Sequence, residues 1–283
     1  MGAQPVAARE GRWLRGAAFL AMAFAWSWSC WLSAASIQAG SARWAGVLAT
    51  LGGFGPSVAA VALIGWTGGR PGLGRWLARC LRWRIGARPF VWAGALPLLV
   101  LAPAALVHVA LGGSVGPSPA AGHLPLAAAN LGLIMLLGGP LGEDFGWRGL
   151  AWPALRARCG WRTSALILGA VWGLWHLPLF FIPGSLQSRL PVLPFLASTV
   201  ALGVVFGWLS QRSAGSVLPA LVPHTGVNWW AWAIPGLLVG GQPRQLALAL
   251  GMLGLLAGGM LGWPVLRSGW NVLGGGRSGR TAA

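Results

Sequence analysis

The chain has 283 residues, of which 56% are hydrophobic and only 8% are charged. A soluble domain normally carries about a quarter charged residues, so this composition excludes an ordinary soluble fold and indicates a polytopic membrane protein. The net charge of +17 would suit nucleic-acid binding in a soluble protein, but all twenty basic residues are Arg and they lie between apolar runs. We therefore interpret them as topology determinants and lipid contacts, and we expect no nucleic-acid partner.

Apolar runs long enough to cross a membrane follow one another along most of the chain. Since a span needs about 20 mostly apolar residues, we predict about eight membrane-spanning helices in an all-α bundle. Their approximate bounds are 16–37, 44–66, 90–111, 125–147, 163–182, 191–210, 217–240 and 245–266. With the N-terminus inside, the inner segments hold 17 Arg and the outer segments 3, which predicts that both termini are cytoplasmic.

The spans form a single predicted membrane domain, 16–266, between a basic N-terminal tail, 1–15, and a flexible Gly/Arg/Ser-rich tail, 267–283. The connection 68–89 contains a short basic amphipathic stretch, and we expect it to lie on the inner membrane surface.

Two of the three acidic residues, Glu143 and Asp144, are adjacent and lie in the apolar run 125–147. A carboxylate within a span costs roughly 2.5–3.5 kcal/mol on insertion scales and normally faces a protein interior or a wet cavity. Asp144 and Arg148 share a helix face if the helix continues past Gly146. Since Glu143 points about 100° away, we expect Asp144 to pair with Arg148 and Glu143 to be free for proton chemistry. An ion pair that merely anchors the helix end is the alternative.

Two further polar clusters lie in the predicted spans 163–182 and 217–240. Trp172 precedes His176 by one helical turn, and Pro178 interrupts the backbone hydrogen bonds just after it. His224 and Asn228 are also four residues apart, so an imidazole and an amide project from one helix face. Taken alone, His176 is more often a satisfied core residue, and the second pair would suit interhelical hydrogen bonding.

Together the three clusters supply a carboxylate, two imidazoles, an amide and a guanidinium on three helices. These groups suffice for water-dependent hydrolysis, in which a glutamate takes a proton from water, imidazoles orient the water or bind a metal, and amide and imidazole donors stabilise an oxyanion. A serine or cysteine nucleophile is less favoured, because no Ser or Cys in the spans has a base at helical spacing. The three Cys are far apart and predict neither a disulfide framework nor a Cys-based zinc site.

The order of these clusters resembles the CPBP (CAAX protease and bacteriocin-processing, or Abi) family of intramembrane endopeptidases. The family pattern is a Glu-Glu-x-x-x-Arg motif, then an aromatic-x-x-x-His motif, then a His-x-x-x-Asn motif preceded by a Ser-x-x-Pro-like segment. Here Asp144 replaces the second Glu, Trp172 replaces the commoner Phe or Tyr, and the segment from Ser216 to Pro219 precedes the last motif. The resemblance covers about 125–240.

The resemblance implies a helical bundle with a cavity open to the cytoplasm and endopeptidase activity. Glu143 would be the general base, acting with His176. His224 and Asn228 would stabilise the tetrahedral intermediate, and Arg148 would hold the carboxylates together. The supporting residues would be Arg148, Asp144 and Trp172.

The resemblance also raises a metal site, because family members are described as metalloproteases. A divalent metal such as zinc on Glu143, His176 and His224 is therefore an open expectation. Against it, the sequence has no His-Glu-x-x-His motif, and Glu143 would have to be both ligand and base.

We therefore predict a multi-pass integral membrane hydrolase, a CAAX-type, metalloprotease-like endopeptidase, in the plasma membrane if the source is bacterial. Its expected partners are the lipid bilayer and a peptide or lipidated-protein substrate, either prenylated at its C-terminus or bacteriocin-like. Two alternatives stay open: a non-catalytic immunity or scaffold protein of the same fold, and a proton- or cation-coupled transporter that uses the ionisable residues. The missing internal repeat weakens the transporter.

Overall fold

The computed structural model describes residues 6–114, 117–233 and 243–262, with side chains described from residue 15 onwards except at positions 243 and 245. Across these ranges the chain forms helices and connecting turns and no strand, which confirms the predicted all-α bundle. The predicted tail 267–283 and the end of the predicted span 217–240 lie outside the described residues. The first helix already begins at Val6, within the predicted N-terminal tail 1–15.

The described elements follow one another as a series of long helices with three short helical segments between them. The short segments are a π-helix, Trp147–Ala151, and two 3₁₀ helices, Leu177–Phe181 and Gln187–Arg189. The α-helices are α1 (Val6–Ile37), α2 (Ala42–Gly53), α3 (Gly55–Cys80), α4 (Arg88–Ala110), α5 (Leu124–Leu137), α6 (Pro140–Gly146), α7 (Trp152–Trp175), α8 (Val192–Ser210), α9 (Leu218–Ala233) and α10 (Pro243–Gly262).

Several of these helices are long and apolar enough to cross a membrane. In the described ranges there are four such stretches, Arg15–Ile37, Arg88–Ala110, Leu124–Phe181 and Val192–Ser210, and the α2–α3 pair, bent by 52°, makes up to five. The chain is therefore an integral, multi-pass membrane protein. The eight spans and the cytoplasmic termini stay predictions, because two predicted spans fall within the single stretch Leu124–Phe181.

Helix α3 turns back on itself at Gly69, where φ is 57°. A Cβ added to Gly146 would lie 2.3 Å from the Pro56 carbonyl oxygen, and one added to Gly149 would lie 3.0 Å from the Cys80 sulfur. Since Gly146 and Gly149 are only three residues apart, the two ends of α3 lie close together. A straight helix of this length would separate them by about 36 Å. Only a residue without a Cβ readily adopts the backbone conformation of Gly69.

The returning arm of α3 carries the basic stretch that we expected on the membrane surface. Within it Trp76 is buried, and its indole N–H donates to the Gly149 carbonyl oxygen over 3.0 Å. Trp83, just after the helix, is exposed. Part of the stretch thus packs against the segment that carries the acidic pair.

Helix α7 reverses in the same way at Gly160, where φ is 70°. Side chains from both of its arms, Trp152 and Ala165, would meet a Cβ placed on Gly207 of α8. Beyond the reversal, Gly169 and Gly203 bring α7 and α8 into close backbone contact, as small residues do between membrane helices. This contact fixes the arm of α7 that ends at Trp175.

The predicted span 125–147 is not a continuous helix. Helix α5 ends at Leu137, and α6 begins at Pro140 after Gly139, whose φ of 109° is available mainly to glycine. A proline at the first helical position then starts the new helix without losing a hydrogen bond. The break places Glu143 in the first turn of α6, deep in the bundle.

Candidate active site

Asp144 is the centre of a buried charge cluster. Its side chain is fully enclosed, and its two oxygens have different partners. Arg148 Nη1 donates to Oδ1 over 2.7 Å, and His224 Nδ1 lies 3.1 Å from Oδ2. The ion pair expected from the spacing of Asp144 and Arg148 is therefore present, and the helix does continue past Gly146, as a π-helix.

The Arg148 guanidinium also lies between two aromatic rings. Its central carbon is 4.6 Å from the ring centre of Trp172 and 4.6 Å from that of Phe206. A guanidinium over an aromatic face is attracted by the ring's electrons, and more strongly in a dry site. Arg148 thus connects α6, α7 and α8 around one charge.

Glu143 faces away from this cluster, as the helical spacing predicts. The Trp172 indole N–H donates to its Oε2 atom. A Cβ placed on Gly139 would lie 2.5 Å from the other oxygen, Oε1, and 3.8 Å from Asn228 Nδ2, so both polar atoms lie close to this glycine. The two adjacent carboxylates therefore have different direct partners: Asp144 contacts a guanidinium and an imidazole, whereas Glu143 accepts from an indole.

His176 ends α7 and is held by its own backbone. Its Nδ1 atom lies 2.8 Å from the Trp172 carbonyl oxygen, and since a carbonyl only accepts, Nδ1 carries the proton. The other nitrogen, Nε2, then keeps its lone pair in the neutral ring. Both Glu143 and His224 lie within electrostatic range of this imidazole.

Three aromatic side chains surround the His176 ring besides Trp172. Trp31 of α1 stacks at 6.5 Å, while Trp175 and Phe195 meet it edge-on at 4.7 and 5.2 Å. The ring is buried and cannot rotate without displacing them.

His224 is held in the same way through its Nδ1, but here the partner is a carboxylate. An ionised carboxylate accepts but does not donate, so Nδ1 carries the proton in this contact. Donation from Nε2 would therefore require the imidazolium form. The ring packs between Trp172, at 5.3 Å, and Phe206, at 5.6 Å.

Trp172 joins all of these groups. Its ring meets the imidazoles of His176 and His224 edge-on, at 5.7 and 5.3 Å, and its N–H holds Glu143. The sequence showed only that Trp172 lies one helical turn before His176. Trp172 sets the spacing of two histidines and one carboxylate.

Asn228 lies one turn beyond His224 on α9 and is partly buried. One N–H of its amide donates to the Gly138 carbonyl oxygen over 3.0 Å. The amide has a second N–H, so it can bind a further acceptor while it stays anchored to the break between α5 and α6.

The expected metal ligands are Glu143, His176 and His224. In the residues that the structure describes, no three His, Cys, Asp or Glu side chains are grouped closely enough to hold a metal ion as they stand. The hydrogen bonds of His176 and His224 through Nδ1 leave both Nε2 atoms open, which is the usual arrangement of metal-bound imidazoles. A divalent metal on these three residues therefore stays a prediction.

Sequence reasoning missed three contributors to the site: Trp31, Phe206 and the Gly139 break. The first two are aromatic residues in apolar runs and carry no signal in a single sequence. The dipeptide Gly138-Gly139 before Pro140 was a visible breaker, but the apolar run around it favoured one continuous span.

The part of the chain that carries the site is similar to known proteins. Residues 125–230 match the family model described as Type II CAAX prenyl endopeptidase Rce1-like, and this range contains every proposed site residue. The resemblance to the CAAX protease family is confirmed. A further similarity is to CAAX prenyl protease 2 of Methanococcus maripaludis, with 27% identity over 130 residues. That alignment covers 44% of this chain and 48% of the relative, so the chain spans about half the length of the curated protein that it matches.

Proposed function

We propose that this protein is an intramembrane endopeptidase that hydrolyses a peptide bond with water activated by Glu143. The observation that carries the proposal is the division of the two carboxylates. Both oxygens of Asp144 are engaged, by Arg148 and His224, whereas Glu143 accepts a hydrogen bond from the described side chains at Oε2 alone. A general base needs one accessible oxygen and a fixed position, and the Trp172 donor supplies the second requirement.

In the first step Glu143 Oε1 takes a proton from water as the water oxygen attacks the scissile carbonyl carbon. The Nε2 lone pair of His176 accepts the second hydrogen of that water as a hydrogen bond and so orients it. The carbonyl π electrons move onto its oxygen, which becomes an oxyanion.

The oxyanion is stabilised by the groups on α9. The free N–H of Asn228 donates to it, and Nε2 of His224 does so in the imidazolium form, which Asp144 supports through Nδ1. Glu143 then passes its proton to the leaving nitrogen as the C–N bond breaks. Proton and electron counts balance without any further reactant.

The substrate we propose is a membrane-associated peptide with a lipid group, such as a prenylated C-terminal C-a-a-X sequence. An apolar cavity adjoins the site through Phe206, whose ring faces His224. Side chains of α4, α8, α9 and α10 line it, among them Leu96, Val100, Leu202, Pro223 and Leu253. A hydrocarbon chain would be buried there at about 0.8 kcal/mol per CH₂ group.

The test is cleavage of prenylated and unprenylated C-terminal peptides and of bacteriocin-like membrane peptides by the purified full-length chain. Wild type is compared with Glu143→Gln, with chelator present and absent, and products are identified by mass spectrometry. We expect cleavage by wild type and a loss of at least about 100-fold in Glu143→Gln. Glu10→Gln, which removes the third acidic residue, is the matched control and should cleave normally.

The same assay separates the alternatives. Full cleavage by Glu143→Gln would contradict the proposed base. Proton flux in liposomes that is lost in Glu143→Gln, with no peptide cut, would favour transport. A cellular phenotype that survives His176→Ala and His224→Ala at normal protein levels would favour a non-catalytic scaffold.

A further inference from the structure

A second group of polar side chains surrounds a cavity of about 290 Å³ at the end of α8. Three arginines line it, Arg79 from α3, Arg148 from the π-helix and Arg156 from α7. Two serines, Ser210 and Ser216, complete the polar part. The other lining residues are apolar or glycine: Trp152, Pro153, Ala157 and Gly215. We call this cavity the arginine pocket.

The positive charge of the arginine pocket is not balanced by the acidic residues that the structure describes. Asp144 pairs with Arg148 and also binds His224, and Glu143 accepts a hydrogen bond from Trp172. Neither carboxylate lines the pocket. The guanidiniums of Arg79 and Arg156 therefore line the pocket without a carboxylate partner among the described side chains.

The arginines of the pocket have more N–H donors than their hydrogen bonds to the described residues require. Arg79 Nη2 donates to the Gly149 carbonyl oxygen over 2.7 Å, and Arg156 is exposed at the mouth. A guanidinium has five N–H groups arranged as a fork that suits the oxygens of a phosphate or carboxylate.

The location points to the membrane surface. Helix α8 is one of the stretches that can cross the bilayer, and Ser210, its last residue, lines the pocket. Near the same end of α8, the Arg212 guanidinium lies 3.9 Å from the ring centre of Trp208, and Trp and Arg are both common at the level of the lipid headgroups.

We propose that the arginine pocket binds the phosphate group of an anionic phospholipid. Phosphate carries more acceptor oxygens than a carboxylate and so better matches Arg79 and Arg156, the two guanidiniums of the pocket that have no carboxylate partner among the described side chains. The end of a span is also where lipid phosphates are concentrated. Because Arg148 belongs both to the pocket and to the cluster around Asp144, the bound lipid would contact the candidate active site from the surface side.

The experiment uses the full-length chain in nanodiscs of phosphatidylcholine alone or with phosphatidylglycerol. Thermal unfolding gives the stabilisation by the anionic lipid, and native mass spectrometry gives the number of lipids retained. We expect wild type to be stabilised and to retain phosphatidylglycerol. Arg79→Gln/Arg156→Gln should weaken the apparent affinity about tenfold or more, equivalent to at least about 1.4 kcal/mol.

The matched control is Arg75→Gln/Arg84→Gln, which makes the same change in net charge at exposed positions that do not line the pocket. This control should keep the phosphatidylglycerol effect. Equal losses in the two double variants would overturn the proposal, because the effect would then be a general surface attraction.

Two further arms identify the source of the anion. Inorganic phosphate in phosphatidylcholine nanodiscs should stabilise the protein much less than the lipid does, and an equal effect would overturn the lipid as ligand. Stabilisation by a C-terminal peptide acid but not by its amide, with no response to phosphatidylglycerol, would overturn the proposal in favour of a peptide carboxylate. None of these readouts requires the protein to be a protease.

Discussion

The two faces of the short helix α6 carry adjacent carboxylates with opposite surroundings. On one face Asp144 is closed in by a guanidinium and an imidazole, and both of its oxygens are engaged. On the other face Glu143 accepts from an indole N–H at Oε2, and no hydrogen bond reaches Oε1 from the part of the chain that the structure describes. The comparison supports the proposed division of roles, in which Asp144 is structural and Glu143 is available for proton transfer.

The Asn228 amide gives the largest expected effect on the Glu143 face apart from the carboxylate itself. Asn228→Ala removes a proposed oxyanion donor, and the cleavage rate should fall about 100- to 1,000-fold. Single-turnover cleavage of the best peptide substrate measures this.

Asn130→Ala is the control for that experiment, since it removes an amide from α5 outside the proposed site. It should cleave within a few-fold of wild type. If Asn228→Ala did the same, Asn228 would have no part in stabilising the intermediate, and the Glu143 face would lose its second functional group.

The Gly139 break is the next way to test the comparison. Gly139→Ala would force a side chain into a φ of 109° and within 2.5 Å of Glu143 Oε1. Strained backbone of this kind costs about 1–3 kcal/mol, and the carboxylate would have to move. We expect a fall in cleavage rate of about tenfold or more and a lower unfolding temperature.

Gly132→Ala, at a position inside α5 where an added Cβ meets nothing within 4 Å, is the control. It should leave the cleavage rate unchanged and should not lower the unfolding temperature, since Ala favours a helix more than Gly does. If Gly139→Ala cleaved at the wild-type rate, the close approach of Glu143 to this glycine would not be needed for activity.

The smallest of these effects concerns the donor that fixes Glu143. Trp172→Phe keeps an aromatic ring beside both imidazoles but removes the N–H that holds Oε2. Since the loss of one hydrogen bond to a charged group costs about 1.5–3 kcal/mol, kcat should fall at least about tenfold while KM changes little. Steady-state cleavage kinetics would show this division.

Trp66→Phe, at an exposed position, is the matched control for the loss of an indole. A rise in KM with unchanged kcat in Trp172→Phe would assign the tryptophan to substrate binding instead.

The parts of the site that could be predicted from the sequence are the local ones. Asp144 and Arg148 are four residues apart on one helix, so helical geometry alone brings them together. The divergence of Glu143 from Asp144 follows from the same geometry.

The contacts between helices could not be predicted in this way. His224 reaches Asp144 across 80 positions of the chain, and Trp172 reaches Glu143 across 29. The position of Trp172 follows from the reversal of α7 at Gly160 and its close contact with α8, and that of His224 from the packing of α9 against α6. Apolar periodicity encodes neither arrangement. The break at Gly139 could not be predicted from its apolar run either, because hydropathy carries no information about backbone conformation.

The most direct test of the central claim measures Glu143→Gln and Asp144→Asn side by side, each by thermal unfolding and by single-turnover cleavage. We predict that Glu143→Gln unfolds close to wild type but loses cleavage. Asp144→Asn should lose about 3–5 kcal/mol of stability, because it leaves Arg148 buried without its carboxylate. The account would be contradicted if Glu143→Gln cleaved like wild type, or if Asp144→Asn were as stable as wild type and lost only its cleavage.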